Sequence, residues 1–97
     1  MNAPKTERRV NPRLSSNPLA TMGQLAGLFT ADARAERLGI SRSHLLHIER
    51  GEIMPSPRVV DLMAEAYNVT VGAVELAAKE GVVRLAERKI AQVRGFR

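Results

Sequence analysis

The chain has no cysteine and no tryptophan among its 97 residues, and aromatic side chains make up only 3% of it. The lack of cysteine excludes a disulfide framework and a thiolate metal site. No apolar run approaches the roughly 18 residues of a membrane-spanning helix, and the first residues lack the apolar core of a signal peptide. The 44% apolar content predicts instead a small aliphatic core of the kind formed by packed helices. We expect one small cytoplasmic domain from a prokaryote or phage.

Positive charge is concentrated at the two ends of the chain. The formal net charge is +5, but residues 1–13 hold four basic and one acidic side chain, and residues 84–97 hold five basic and one acidic. The residues between these ends are slightly acidic. Basic ends attract polyanions without reading their sequence, although the same ends also serve simply to keep a small protein in solution.

Residues 35–51 have the pattern of two short helices joined by a tight turn. Leu38 lies on the apolar side of the first helix, and Gly39 suits the left-handed position that ends it. Ser41 can cap the second helix, whose buried face includes Leu45. The opposite face carries polar side chains: Arg42, Ser43 and His47. This arrangement is that of a helix-turn-helix, which presents its second helix to the major groove of DNA.

Apolar periodicity predicts further helices on both sides of this motif, and no stretch has the alternation of a strand. We assign residues 1–17 to a flexible basic arm and residues 18–80 to a helical domain. Residues 81–97 form a separate basic amphipathic helix that begins after Gly81. Four more residues are placed to cap helices at their N-termini: Asn17, Thr30, Ser56 and Thr70.

The stretch from Ala35 to Leu76 resembles the Cro/C1-type (XRE) helix-turn-helix family of prokaryotic and phage regulators. The residues that carry the resemblance are Ala35, Gly39, Ile40-Ser41, Leu45, Ile48-Glu49-Arg50-Gly51, Pro55, and the Val59/Leu62/Met63 and Val69-Thr70 pattern. The resemblance covers about residues 18–79. It implies an all-α, compact five-helix domain like that of lambda repressor, here followed by an additional C-terminal helix.

Three positions depart from the family pattern. Ala31 stands where the family usually has a glutamine that contacts phosphate, and Arg34 stands where it has a large apolar residue. The glutamate equivalent to Glu49 often pairs with an arginine of the first helix, which has no charged residue here. We expect Arg34 to pair with an acid or to extend its charged end to solvent, and Arg34 and Arg13 are the candidate partners of Glu49.

The exposed face of the second helix of the motif supplies the candidate base-reading residues: Arg42, Ser43, Leu46 and His47. An arginine fork can bond guanine O6 and N7, and an apolar side chain can touch a thymine methyl group. The alternatives are phosphate contacts or, for Leu46, packing. The candidates for backbone contact are Thr30, Ala31, His44, Arg50, Ser56 and Arg58. A pair of histidines without further ligands does not make a metal site, so we expect no metal and no cofactor.

The leading interpretation is a sequence-specific transcriptional regulator, most simply a repressor, that binds a palindromic operator in double-stranded DNA as a homodimer. Residues 82–94 are the candidate dimer interface. The alternative is an antitoxin or other protein-interaction module that keeps the fold, with DNA binding secondary or lost, and with a toxin or polymerase as its partner. A third interpretation, an enzyme, has little support, because the sequence shows no nucleophile–base pair, paired carboxylates or phosphate-binding glycine loop.

Overall fold

The structure, a computed structural model, describes residues 14–94, and this part of the chain consists of five α-helices without any strand. The helices are α1 Pro18–Leu25, α2 Ala31–Leu38, α3 Arg42–Glu49, α4 Pro57–Tyr67 and α5 Val71–Arg94. The predicted all-α class is confirmed. None of the helices described is long and apolar enough to cross a membrane.

Four of the five predicted N-caps are confirmed. Each hydroxyl accepts a hydrogen bond from the backbone N–H three residues further on: Thr30, Ser41, Ser56 and Thr70. Asn17 occupies the predicted N-cap position and Pro18 the predicted first helical position, but the side chain of Asn17 makes no capping hydrogen bond. The backbone N–H of Asn17 instead donates to the hydroxyl of Ser15 at 2.9 Å. The chain thus enters α1 through a local turn held by a serine.

The core is formed by one face of each helix. Its largest fully buried side chains are Leu19, Leu45, Ile48, Met63 and Val74. The helix α5 packs mainly against α4 and α1, and α2 packs against α3. Each buried side chain of this size stabilises the fold by about 1.5–3 kcal/mol relative to an exposed one. Because α3 is held by its buried face, its opposite face stays available to solvent.

The helix break predicted at Gly81 is wrong, because α5 continues through this residue to Arg94. Gly81 is buried, and the turn that follows α3 packs against it. A Cβ atom added to Gly51 would lie 2.7 Å from the carbonyl carbon of Gly81 and 2.9 Å from the nitrogen of Val82. An interior glycine costs a helix about 1 kcal/mol, and that cost does not end a helix anchored in the core.

The residues just before α1 are attached to the helical domain rather than free of it. The backbone N–H of Ser15 donates to Oε1 of Gln24 at 2.7 Å. Arg84 of α5 donates to the carbonyl oxygen of Ser16 at 2.6 Å. The last residues of the predicted flexible arm, 14–17, are therefore bonded to α1 and α5. The rest of that arm lies outside the described residues.

Candidate nucleic-acid interface

The helix α3 divides into a buried face and an exposed face. Leu45, Ile48 and Glu49 are 0–3% exposed and face the core. The outward face holds the four predicted base-reading residues, with Leu46 half-buried and Arg42, Ser43 and His47 exposed. The predicted backbone contacts His44 and Arg50 are exposed as well. The structure therefore brings the α3 candidates together on one surface.

The remaining candidates lie at the starts of α2 and α4. The hydroxyls of Thr30 and Ser56 are both engaged as N-caps. The side chain of Ala31 is half-buried against the core, so only its backbone can meet a phosphate from this position. Arg58 is exposed in the first turn of α4. Helix N-termini of this kind direct free N–H groups outward, which suits phosphate binding.

Two carboxylates that the sequence analysis did not select lie on the same surface. Asp32, in the first turn of α2, places Oδ1 3.0 Å from Nε of Arg42. Glu52, just beyond α3, pairs through Oε1 with Nδ1 of His47. The hydrogen bond to His47 is the main cause that holds the pKa of Glu52 below its ordinary value of 4.5. Neither pair has the i, i+3 or i, i+4 spacing that reveals a contact between charged side chains of one helix.

Arg34 and Glu49 form one buried ion pair. The Nε of Arg34 donates to Oε2 of Glu49 at 2.7 Å, and its Nη2 donates to Oε1 at 3.1 Å. Nη1 donates to the carbonyl oxygens of Leu28 and Phe29 at 3.0 and 3.1 Å. The expectation that Arg34 pairs with an acid is confirmed. This guanidinium links α2 to the end of α3 and to the turn after α1.

Gly23 and Tyr67 surround the Arg34 side chain. A Cβ atom added to Gly23 would overlap the Arg34 side chain and would lie 3.1 Å from Cζ of Tyr67. The buried hydroxyl of Tyr67 has no hydrogen-bond partner within residues 14–94. Burial, followed by the negative charge of Glu49, raises the pKa of Tyr67 well above its ordinary value of 10. The absence of a side chain on α1 thus makes room for the charged pair below it.

We expect the folded protein to lose stability as the pH rises above 10. A raised folded-state pKa favours the neutral phenol, so its stabilising contribution is complete below pH 10 and declines above it. Tyr67 is the single tyrosine in a chain without tryptophan, so tyrosinate absorbance reports this residue alone. The tyrosinate signal should appear only as helical circular dichroism is lost, and Tyr67→Phe should weaken the alkaline transition. A phenol that titrates near pH 10 in fully helical protein would contradict this prediction.

Comparison with known proteins identifies the central part of the chain. Residues 19–78 match a family model described as a helix-turn-helix domain. The matched segment begins in α1 and ends in α5, and it includes both the buried pair and the exposed face of α3. No curated protein and no solved structure shows significant similarity to the chain.

Proposed function

Since this chain belongs to the helix-turn-helix domain family, we propose that it is a sequence-specific DNA-binding transcriptional regulator of the Cro/C1 type. In this proposal a homodimer binds a palindromic operator through the major groove and represses a promoter by covering it. The base contacts come from α3: Arg42, Ser43, Leu46 and His47.

The observation that carries this proposal is the division of α3 into two faces. A recognition helix must present polar groups to the groove while its other side stays packed on the domain. The side chains of Arg42 and His47 are 61% and 50% exposed, whereas Leu45 directly between them in sequence is completely buried. The exposed face therefore offers a guanidinium fork, a hydroxyl group and an imidazole to base edges.

Phosphate contacts are proposed around this helix. Arg50 and Arg58 supply exposed positive charges, and the N–H groups at the starts of α2 and α4 supply uncharged donors. The basic ends of the chain add affinity that does not depend on sequence. We therefore expect the observed affinity to fall steeply as the salt concentration rises.

We place the dimer interface on a second apolar face of α5, turned away from the core. Four large side chains on this face are between 53% and 70% exposed: Leu76, Val83, Ile90 and Val93. The first three recur every seven residues, which is the repeat with which two helices pack along a shared line. The side of α5 that packs on its own domain carries other residues: Val74, Ala77, Ala78 and Gly81. The interface predicted at 82–94 thus extends back to Leu76.

The charges beside this apolar face disfavour a parallel, in-register arrangement of the two helices. In a parallel, in-register pair, Glu75 would lie opposite the partner's Glu80, and Lys89 opposite the partner's Arg94. Both contacts join like charges and are repulsive. An antiparallel pair avoids both of them.

We expect Ile90→Asp to convert a dimer of twice the 10.6 kDa chain mass into a monomer. A charge on the packed face would be buried without a partner. Loss of the second half-site contact should weaken operator binding by about 100-fold or more. Sedimentation velocity and duplex titration measure the two effects. Gln92→Asp is the control, since it makes the same charge change off the apolar face, and an Ile90→Asp protein that stays dimeric would contradict this interface.

A second candidate function is a protein-interaction module such as an antitoxin, with a toxin or polymerase as its partner. The observation that favours it is an apolar groove of about 340 Å³ along α1. Leu25 in its wall is 72% exposed, and the sequence has no charge between Arg13 and Asp32. Leu25→Glu separates the two functions, since it should disrupt a protein complex and leave DNA selection unchanged.

We also propose that the protein binds its partners without catalysing a reaction or requiring a cofactor, in the cytoplasm and at the nucleoid when bound to DNA. The family membership supports this proposal, because helix-turn-helix domains read DNA by surface contacts. The absence from the sequence of a nucleophile–base pair agrees with it.

The test of the leading function is selection of random DNA duplexes by the purified protein at moderate salt. An enriched inverted repeat with half-sites about 34 Å apart would support a dimeric operator-binding protein. Purely salt-labile binding without an enriched motif would overturn the proposal.

Within an enriched motif, Arg42→Ala should relax the preference at one base pair, at a cost of about 1–3 kcal/mol. The fork then no longer distinguishes guanine from the other bases. Arg37→Ala, an exposed arginine near the end of α2, is the matched control. A uniform loss of affinity for all sequences would instead make Arg42 a phosphate contact. Affinities for single-base variants of the motif distinguish these outcomes.

A further inference from the structure

The carboxylate of Asp32 lies beside the Nε of the Arg42 guanidinium. Oδ1 of Asp32 forms an ion pair with Nε at 3.0 Å, and neither Nη nitrogen donates a hydrogen bond within residues 14–94. An arginine can grip the O6 and N7 of guanine either with its two Nη nitrogens or with Nε and one Nη. An acid beside Nε blocks the second of these modes. The pair therefore leaves the Nη edge of Arg42 for a base.

The imidazole of His47 also has a carboxylate beside only one of its two nitrogens in the described part of the chain. Glu52 pairs with Nδ1 and leaves Nε2 without a partner in the described part of the chain. A carboxylate only accepts hydrogen bonds, so the proton between the two groups belongs on Nδ1. Nε2 is then the ring nitrogen that is left for a base. It accepts from the exocyclic amino group of adenine or cytosine when the ring is neutral, and it donates to N7 or O6 of guanine when the ring is protonated.

We propose that Asp32 and Glu52 are positioning residues of the DNA-reading surface, which determine the atoms that Arg42 and His47 present to the bases. This inference rests on the proposed function. The two acids come from different elements, α2 and the turn after α3, yet each lies against one reading residue. The same two charges repel phosphates near the reading residues, so they weaken binding to sequences that offer no matching base.

The ordinary roles of these acids predict different results. Asp32 also lies in the first turn of α2, where a negative charge interacts favourably with the helix dipole. Exposed ion pairs add little to folding stability, so neutral variants of both acids should remain folded. A purely structural acid would change the melting temperature and leave the order of preferred bases unaltered.

The experiment compares the wild-type protein with Asp32→Asn, Glu52→Gln and Glu65→Gln in random-duplex selection and in titration of a single nonspecific duplex. Glu65→Gln removes the same charge from an exposed position at the far end of α4. We expect Asp32→Asn and Glu52→Gln each to reduce the base preference at one position by about two- to fivefold, the range of an exposed ion pair. Nonspecific affinity should rise by a similar factor. Glu65→Gln should leave the base preference unchanged, because screening weakens distant charges.

A second comparison tests whether Asp32 acts on base preference through Arg42. In an Arg42→Ala background, Asp32→Asn should no longer alter the preference at any base pair, since the side chain that Asp32 positions is gone.

The outcomes of the random-duplex selection distinguish this inference from the proposed function. If the wild-type protein and its three single variants all enrich the same motif at the same strength, the inference is overturned and the proposed function stands. An equal change of base preference in all three variants would show that only the net charge matters, and it would also overturn the inference. A wild-type protein that enriches no motif would overturn the proposed function and this inference together.

Discussion

Replacing Arg34 by methionine should lower the free energy of unfolding by about 3–5 kcal/mol, because it leaves the Glu49 charge buried without a partner. Glu49 is only 3% exposed, and Arg34 supplies both ion-pair contacts to its carboxylate. The same substitution also removes the donor that holds the carbonyl oxygens of Leu28 and Phe29. Chemical denaturation monitored by helical circular dichroism measures the loss.

Two further variants separate the lost charge pair from lost packing. Arg37→Met on the same helix replaces an exposed arginine and should change stability by less than about 0.5 kcal/mol. The double variant Arg34→Met/Glu49→Leu should recover at least half of the loss, since it leaves no unpaired charge in the core. The prediction is contradicted if the double variant loses as much stability as Arg34→Met and Glu49→Leu lose separately when added together, because the two residues would then not be coupled.

The buried pair also bears on DNA binding. Glu49 is the last residue of α3, and its partner Arg34 also bonds the turn after α1. The ion pair therefore fixes the direction of α3, the proposed recognition helix, relative to α2, whose first turn carries Asp32. The resemblance implied that the arginine partner of Glu49 would come from α1, but in this protein it is Arg34 of α2. Gly23 on α1 leaves the space that the Arg34 side chain occupies.

Gly51→Ala should destabilise the protein by about 2–4 kcal/mol, which combines backbone strain with a steric clash. Gly51 has a φ of 83°, which L-residues with a Cβ rarely adopt. The added methyl group would also meet the backbone of α5 at Gly81 and Val82, where no side chain can rotate away. The turn after α3 would have to separate from α5, and Glu52 would move with it.

Two other glycines serve as matched controls for this prediction. Gly39 has a φ of 73° but open space around its Cβ position, so Gly39→Ala should cost only about 1 kcal/mol. Gly81 is helical, and its Cβ would lie 3.8 Å from the nearest atom, the carbonyl oxygen of Glu49. Gly81→Ala should therefore stabilise the protein by about 0.5–1 kcal/mol. Thermal and chemical unfolding of the three variants should give this order, and equal losses for Gly39→Ala and Gly51→Ala would exclude a close approach at Gly51.

Much of the candidate site was predictable because it depends on short-range rules. The cap at Ser41, the left-handed Gly39 and the spacing of Leu45 and Ile48 together orient α3, and each acts within one or two turns of helix. These rules place Arg42 and His47 on the outer face, and the structure has them there. The acids that pair with them were not predictable, because Asp32 reaches Arg42 from another helix.

The sequence by itself determined the all-helical class, the starts of all five helices, the turn between α2 and α3 and the face that α3 exposes. These features follow from hydrogen bonds and apolar contacts between residues a few positions apart. Only the tertiary structure decided that Arg34 is the partner of Glu49, that α5 continues through Gly81 and that acids flank Arg42 and His47. Each of these depends on the distance between segments far apart in the chain, which is set by how the helices pack. Local propensity at Gly81 favoured a break, and packing against the turn at Gly51 prevailed over it.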